Sequence, residues 1–235
     1  GQGSSFLISD NANFSTDNQG KVATYVAAVR VCVEGRLESN CNSAHKATDY
    51  PNAGRYNKPE GLIQQNFSKI RVGAAGYAFV QGDGPANGAV RALIHDNGPT
   101  AYNGNGARSA NPSAEWDGDT GIFAANPDAA NGKGRAPGGG DASTTGAINY
   151  LNKFGYDNGY ELYDTLGDLY WASLAYLMHV KLDDSYTKGI SATNSMDVSF
   201  PVYGGLLPDP IAYTCQANAI VTIGDSHTWY DTRVP

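Results

Sequence analysis

QANAIVTIGDSHTWYD, residues Gln216–Asp231, is the stretch on which the fold turns. Ala219–Ile223 is apolar and partly β-branched, the composition of a buried strand. It stops at Gly224-Asp225-Ser226. An acid and a hydroxyl at a strand tip point to two chemistries. One is a serine nucleophile held on a turn. The other is an aspartate aimed at a hard metal ion.

Working outward, the remaining segments set what this strand packs against. SSFLIS (Ser4–Ser9) reads as a short strand ending at Asp10, and ATYVAAVRVCV (Ala23–Val33) as another. NKPEGLIQQNFSK holds a helix, with Pro59 in its first turn and Leu62, Ile63 and Phe67 on one face. KIRVGAAGYAFV (Lys69–Val80) is a continuous apolar strand without strict alternation, which predicts burial on both faces, as in a parallel sheet. GAVRALIHD (Gly88–Asp96) is its expected hairpin partner. From about residue 97 to 140 the chain is rich in Gly, Asn, Pro and Asp, which predicts a functional excursion or a partly disordered insertion. Two helices follow, STTGAINYLNKFG and YDTLGDLYWASLAYLMHVK. The second has Asp164-Thr165 as its N-cap region and an expected apolar face of Leu166, Leu169, Tyr170, Ser173, Leu174 and Leu177. Helices alternating with apolar strands predict an α/β class with a mostly parallel sheet flanked by helices, in one domain over residues 1–235 with a loop insertion. Sites in such sheets lie at the C-terminal strand ends, where Asp10 and Asp225 both fall.

Composition narrows the class of function. The formal net charge is −7, which argues against a nucleic-acid partner. No stretch approaches the roughly 20 apolar residues of a membrane span. Scarce charges with abundant Gly, Asn, Ser and fifteen tyrosines suit an extracellular protein with long polar loops. Cys32 and Cys41 flank a turn-rich segment and predict a local disulfide in an oxidising compartment, leaving Cys215 over. Trp116, in the polar region, is expected to dock that loop onto the body, the alternative being an exposed contact for a surface or glycan, and Trp171 to sit in the core. DGDTG (Asp117–Gly121) and DNGYELYD (Asp157–Asp164) are acidic turns that suit solvent or a second Ca²⁺, without the spacing of an EF-hand.

The two chemistries of Gly-Asp-Ser then separate. IVTIGDSHTW resembles the nucleophile block of GDS or SGNH hydrolases, which would make Ser226 the nucleophile of an esterase. That family takes its His and Asp from far downstream, and only nine residues follow Ser226 here. His45, His95 or His179 would have to serve from upstream. In the second reading, Asp10 and Asp225 meet at neighbouring strand tips with the Thr165 hydroxyl between them. Oxygen ligands of this kind, completed by water, suit Mg²⁺ or Ca²⁺.

FLISDNANFS, YDTLGDLYWASLAY and NAIVTIGDS resemble the three segments of the metal-ion-dependent adhesion site of von Willebrand factor A (VWA) domains. VRVCVEGRLESNC, YNKPEGLIQQNFSKIRVGAAGYAF, GAVRALI, SAEWDGDTGIFAANPDAA, GAINYLNKFG, YDTLGDLYWASLAYL, DPIAYTCQANAIVTIGDSHTW and RVP, in that order, resemble the PilY/PilC family of type IV pilus tip-associated proteins. The likeness covers most of Val29 to Pro235. It implies a VWA-like (Rossmann-type) segment of a longer protein, commonly followed by a β-propeller. It also implies a secreted or cell-surface location at the pilus tip, and a non-enzymatic role in pilus biogenesis, surface adhesion and motility. The implied partners are pilus-tip minor pilins or a host or abiotic surface. The implied metal ligands are Asp10, Thr165 and Asp225. The two serine positions of the adhesion-site pattern read Ala12 and Phe14, so the site is degenerate. A structural filament subunit is the third reading.

Overall fold

The computed structural model describes residues 4–8, 23–27, 31–46, 57–78, 87–130, 142–152, 165–183 and 200–224. The chain divides into two compact units, Gly1–Glu60 and Gly61–Pro235.

In the first unit β1 (Ser4–Ile8) pairs antiparallel with β2 (Ala23–Ala27). The pair β3 (Cys41–Lys46) and β4 (Asn57–Pro59) is also antiparallel. Cys32 and Cys41 form a disulfide, with Cα atoms 5.5 Å apart. The intervening loop turns at Val33–Arg36, where the Arg36 N–H donates to the Val33 carbonyl at 2.9 Å and Gly35 takes φ +81°, a value open to glycine. Closing so short a loop stabilises the folded chain by about 2–3 kcal/mol in the chain-entropy account. Pro59 ends β4 rather than opening a helix, the place a residue without an N–H is tolerated in a sheet.

The second unit holds α1 (Leu62–Asn66), β5 (Val72–Ala78), β6 (Asn87–His95), β7 (Thr100–Tyr102), β8 (Arg108–Ala110), a 3₁₀ turn at Pro127–Ala130, α2 (Ala147–Asn152) and α3 (Leu166–Leu177). β5 and β6 form the expected hairpin, with Val72 opposite His95 and Ala78 opposite Asn87. The mostly parallel sheet is corrected: among the described residues all four strand pairs are antiparallel and two-stranded. The unbroken apolar run had another cause. Residues 88–93 of β6 are buried in succession, so both faces of the strand are covered within a hairpin. Glycines admit the covering helices. A Cβ on Gly88 would lie 2.1 Å from the Leu169 Cα of α3, and one on Gly76 would lie 1.8 Å from the Tyr150 hydroxyl of α2.

The expected face of α3 is also corrected. Its buried residues are Asp168, Ala172, Ala175 and Tyr176, while Tyr170 is half exposed. Small alanines let the helix lie against β6, and the core gathers Val90, Leu93, Ala172, Ala175, Tyr176, Leu182, Tyr203 and Leu207. Trp171 is partly buried and packs against it. α3 ends with His179 at φ +53°, its N–H donating to Tyr176 O at 3.0 Å and the Val180 N–H to Ala175 O at 2.8 Å, a Schellman closure with His at the left-handed position.

The terminal strand is the second correction. Ala219–Ile223 has no strand pairing, and Val221 and Ile223 are 86% and 93% exposed. β-branched residues favour a strand only when a neighbouring strand and a packed face receive them, and this segment meets neither among the described residues.

Candidate functional site

The head of α3 carries the described part of the expected metal site. Thr165 is the N-cap, fully buried, and its side chain makes no capping hydrogen bond. Gly224 lies beside it: a Cβ there would be 3.7 Å from Leu166 Cδ1. The end of IVTIG therefore abuts the first turn of α3. Asp10, Asp225 and Ser226 lie outside the described residues. Asp168, one turn into the helix, is buried as well; it was hidden among the leucines of the expected apolar face. An acid in a first helical turn is favoured by the partial positive charge there.

A second and more complete site is built from the Gly/Asn-rich excursion, described over residues 97–130. Its asparagines replace missing backbone partners. Asn97, fully buried, accepts from the Val72 N–H at 2.8 Å and donates to the Val72 carbonyl at 3.0 Å, prolonging the β5 ladder through a side chain. Asn111 donates to the carbonyls of Asp96 and Gly98 at 2.6 and 2.7 Å. Asp117 folds DGDTG on itself, its Oδ1 accepting from the Asp119 and Thr120 N–H groups and the Thr120 hydroxyl. Trp116 is buried with its ring edge-on to Phe67, 5.8 Å between centroids, so it docks the loop as expected.

Glu115 is the centre of this wiring. It is 1% exposed and reaches the start of α2, accepting from the Ala147 N–H at 2.8 Å and the Ile148 N–H at 2.7 Å. Asn97 Nδ2 donates to it at 2.7 Å. Gly146 makes this possible. It sits at φ +95°, and a Cβ there would stand 3.0 Å from Glu115 Cδ and 2.8 Å from Pro127 Cγ. His95 Nε2 lies 3.4 Å from Glu115 Oε1 and 3.3 Å from Asp128 Oδ1, with Asp128 buried too. The Tyr203 hydroxyl lies 3.4 Å from Asp128 Oδ2, and the Asp128 N–H donates to Thr145 Oγ1 at 3.0 Å.

Electrostatics follow from these contacts. Burial pushes the Glu115 carboxyl up, but His95, the α2 N–H groups and Asn97 outweigh it and leave the group below its usual range. Burial raises Asp128, and the Glu115 charge adds to that against the opposing pull of His95 and Tyr203. Burial lowers His95, but the two carboxylates reverse it and hold the imidazole above its ordinary value. The cluster is not a metal triangle. Among the described residues, the one group of His, Cys, Asp or Glu atoms close enough to share an ion is Cys32, Glu38 and Cys41. There the two sulfurs are already joined to each other.

The histidines offered to a Ser226 nucleophile fare differently. His95 Nε2 faces the buried carboxylates of Glu115 and Asp128, and Nδ1 lies 2.8 Å from the Asp96 carbonyl. His179 is exposed at the end of α3, 3.9 Å from Asp209. Sequence reading missed Glu115, Asp128 and His95 as a group, although SAEWDGDTG had drawn notice for Trp116. The only signal was a buried-type Trp next to an acid in a polar run.

No family model matches this chain, and no solved structure matches it. A curated protein from Xylella fastidiosa (strain Temecula1 / ATCC 700964), named type IV pilus biogenesis factor PilY1 homolog, is 32% identical over 236 residues. The match takes in 93% of this chain and 18% of that protein, so the chain spans under a fifth of the relative's length. Over this segment the chain belongs to the PilY/PilC family.

Proposed function

We propose that this chain is a non-enzymatic binding and assembly segment of a type IV pilus-associated protein, working outside the cell in pilus biogenesis. The observation that carries the reading is the 32% identity sustained across 93% of the chain to a protein named for pilus biogenesis. A disulfide in the first unit and a polar excursion rich in Gly and Asn support an extracellular setting. No described helix is long and apolar enough to cross a membrane. Partners in this reading are pilus-tip minor pilins or a surface to which the pilus attaches. In-frame removal of this segment from its parent protein tests it: surface pili and twitching motility fall together. Unchanged piliation and motility, with the truncated parent still exported, would contradict it.

A finer part of the proposal places Mg²⁺ or Ca²⁺ at the head of α3. The Thr165 hydroxyl, buried at the N-cap of α3, is of the oxygen type such an ion takes, and the approach of Gly224 to Leu166 favours Asp225 as a second ligand. Calorimetry with each ion, repeated on Asp225→Ala and Thr165→Val, tests this. Loss of binding in both variants supports it, and unchanged affinity refutes the ligand assignment. Ester cleavage by the wild type that disappears in Ser226→Ala would overturn the non-enzymatic reading.

A further inference from the structure

His95 joins two parts of the second unit through a proton. The ring sits at the end of β6, and its two carboxylate neighbours, Glu115 and Asp128, belong to the excursion. The geometry fixes the protonation on its own. Nδ1 faces the Asp96 carbonyl, which can only accept, so Nδ1 carries hydrogen. Nε2 faces two carboxylate oxygens at 3.4 and 3.3 Å and is sealed from solvent, with neither oxygen in hydrogen-bonding geometry to it. A bare Nε2 lone pair there would oppose both carboxylates. One proton, on Nε2 or shared with Asp128, removes that opposition and makes the ring the cation between two buried anions.

We propose that this shared proton is a latch. With it in place, the excursion is held to the β5–β6 hairpin; when alkaline pH removes it, the stretch around Trp116 loosens while the core stays folded. The other groups facing the site do not supply a substitute. Tyr203 meets Asp128, Tyr176 accepts from the Ile94 N–H with its hydroxyl oxygen, and the Arg71 guanidinium is turned to the carbonyls of Ile94 and Pro210 and to Gln216. The Ala147 and Ile148 N–H groups and Asn97 keep Glu115 charged after the proton leaves, so the repulsion persists. Loss of the latch is expected to be a local event, since His95, Glu115 and Asp128 are not members of the core cluster of Val90, Leu93, Ala172 and Tyr176, which meets them at Tyr203.

Trp116 is the reporter, being buried next to Glu115. In the full 235-residue chain carrying Trp171→Phe and Trp229→Phe, acrylamide quenching of Trp116 is followed from pH 6 to pH 10 beside far-UV circular dichroism. The latch predicts a severalfold rise in quenching along a one-proton curve with the dichroism unchanged. His95→Gln, which keeps an N–H donor but does not titrate in this range, predicts a flat profile. If His95→Gln does not fold, Asp128→Asn serves instead: with one carboxylate neutralised the midpoint moves to lower pH. Flat quenching in the unsubstituted site, or a rise that follows the dichroism, overturns the proposal. So does an unmoved transition in whichever of the two variants folds.

Discussion

The excursion of residues 97–130 and the segment Ala219–Gly224 exchange the characters their compositions suggest. The first is polar and full of Gly and Asn, yet it holds buried Trp116, Glu115, Asn97 and Asp128. The second is apolar and β-branched, yet Val221 and Ile223 stand in solvent. The difference teaches that burial follows available partners more than hydropathy. Asn97 and Asn111 supply carbonyl and amide groups that let loop backbone be buried without penalty, as the burial of polar groups requires. Ile223 has only its own propensity, and propensity without a partner strand does not bury a side chain.

Removing Glu115 should give the largest effect. Glu115→Ala leaves the Ala147 and Ile148 N–H groups unsatisfied and His95 without one of its anions. The expected loss is about 3–5 kcal/mol in urea unfolding, the scale of breaking a buried charge pair. Cys32→Ser comes next, with about 2–3 kcal/mol lost from the disulfide, and reductant should abolish the difference from wild type. Gly146→Ala forces a Cβ towards Glu115 at a positive φ and should cost more than about 1 kcal/mol, read from the same curves. At the bottom of the scale, Val221→Ser with Ile223→Ser should change stability by no more than about 0.5 kcal/mol, because neither side chain leaves water on folding. A loss near that of Cys32→Ser would mean the segment is packed, and the contrast would fail.

pH sharpens the same contrast. Glu115 has its folded pKa depressed, so its contribution is present above the unfolded carboxylate value and is lost as pH falls through the folded one. His95 is raised, so its contribution is complete below about 6.5 and is lost as pH rises through the folded value. Asp128, raised, opposes the acid loss in part. Stability of the excursion should therefore be highest between these limits. Titrating unfolding free energy from pH 3 to pH 10 in wild type and Glu115→Gln checks it: the acid limb flattens in the variant.

How much of this was legible in the sequence depends on range. The β5–β6 hairpin, the α3 helix with Thr165 at its head, and the Cys32–Cys41 pairing are local features, and local composition announces them. The face of α3 was misread because periodicity favours leucines, whereas the helix buries Asp168, Ala172, Ala175 and Tyr176. Glu115 was invisible because its partners in α2 lie more than thirty residues away, and nothing in SAEWD shows which helix it will cap. The parallel sheet was inferred from continuous apolarity, which two covering layers over a hairpin produce equally well.

Native-state hydrogen exchange bears on both regions at once. The account predicts that at pH 6 the amides of Glu115, Ala124, Ala147 and Ile148, each donating at 2.7–2.9 Å, exchange only through large-scale opening, while those of Val221–Ile223 exchange within a factor of about ten of unstructured peptide. Rapid exchange at Ala147 and Ile148, or strong protection at Val221–Ile223, would contradict it.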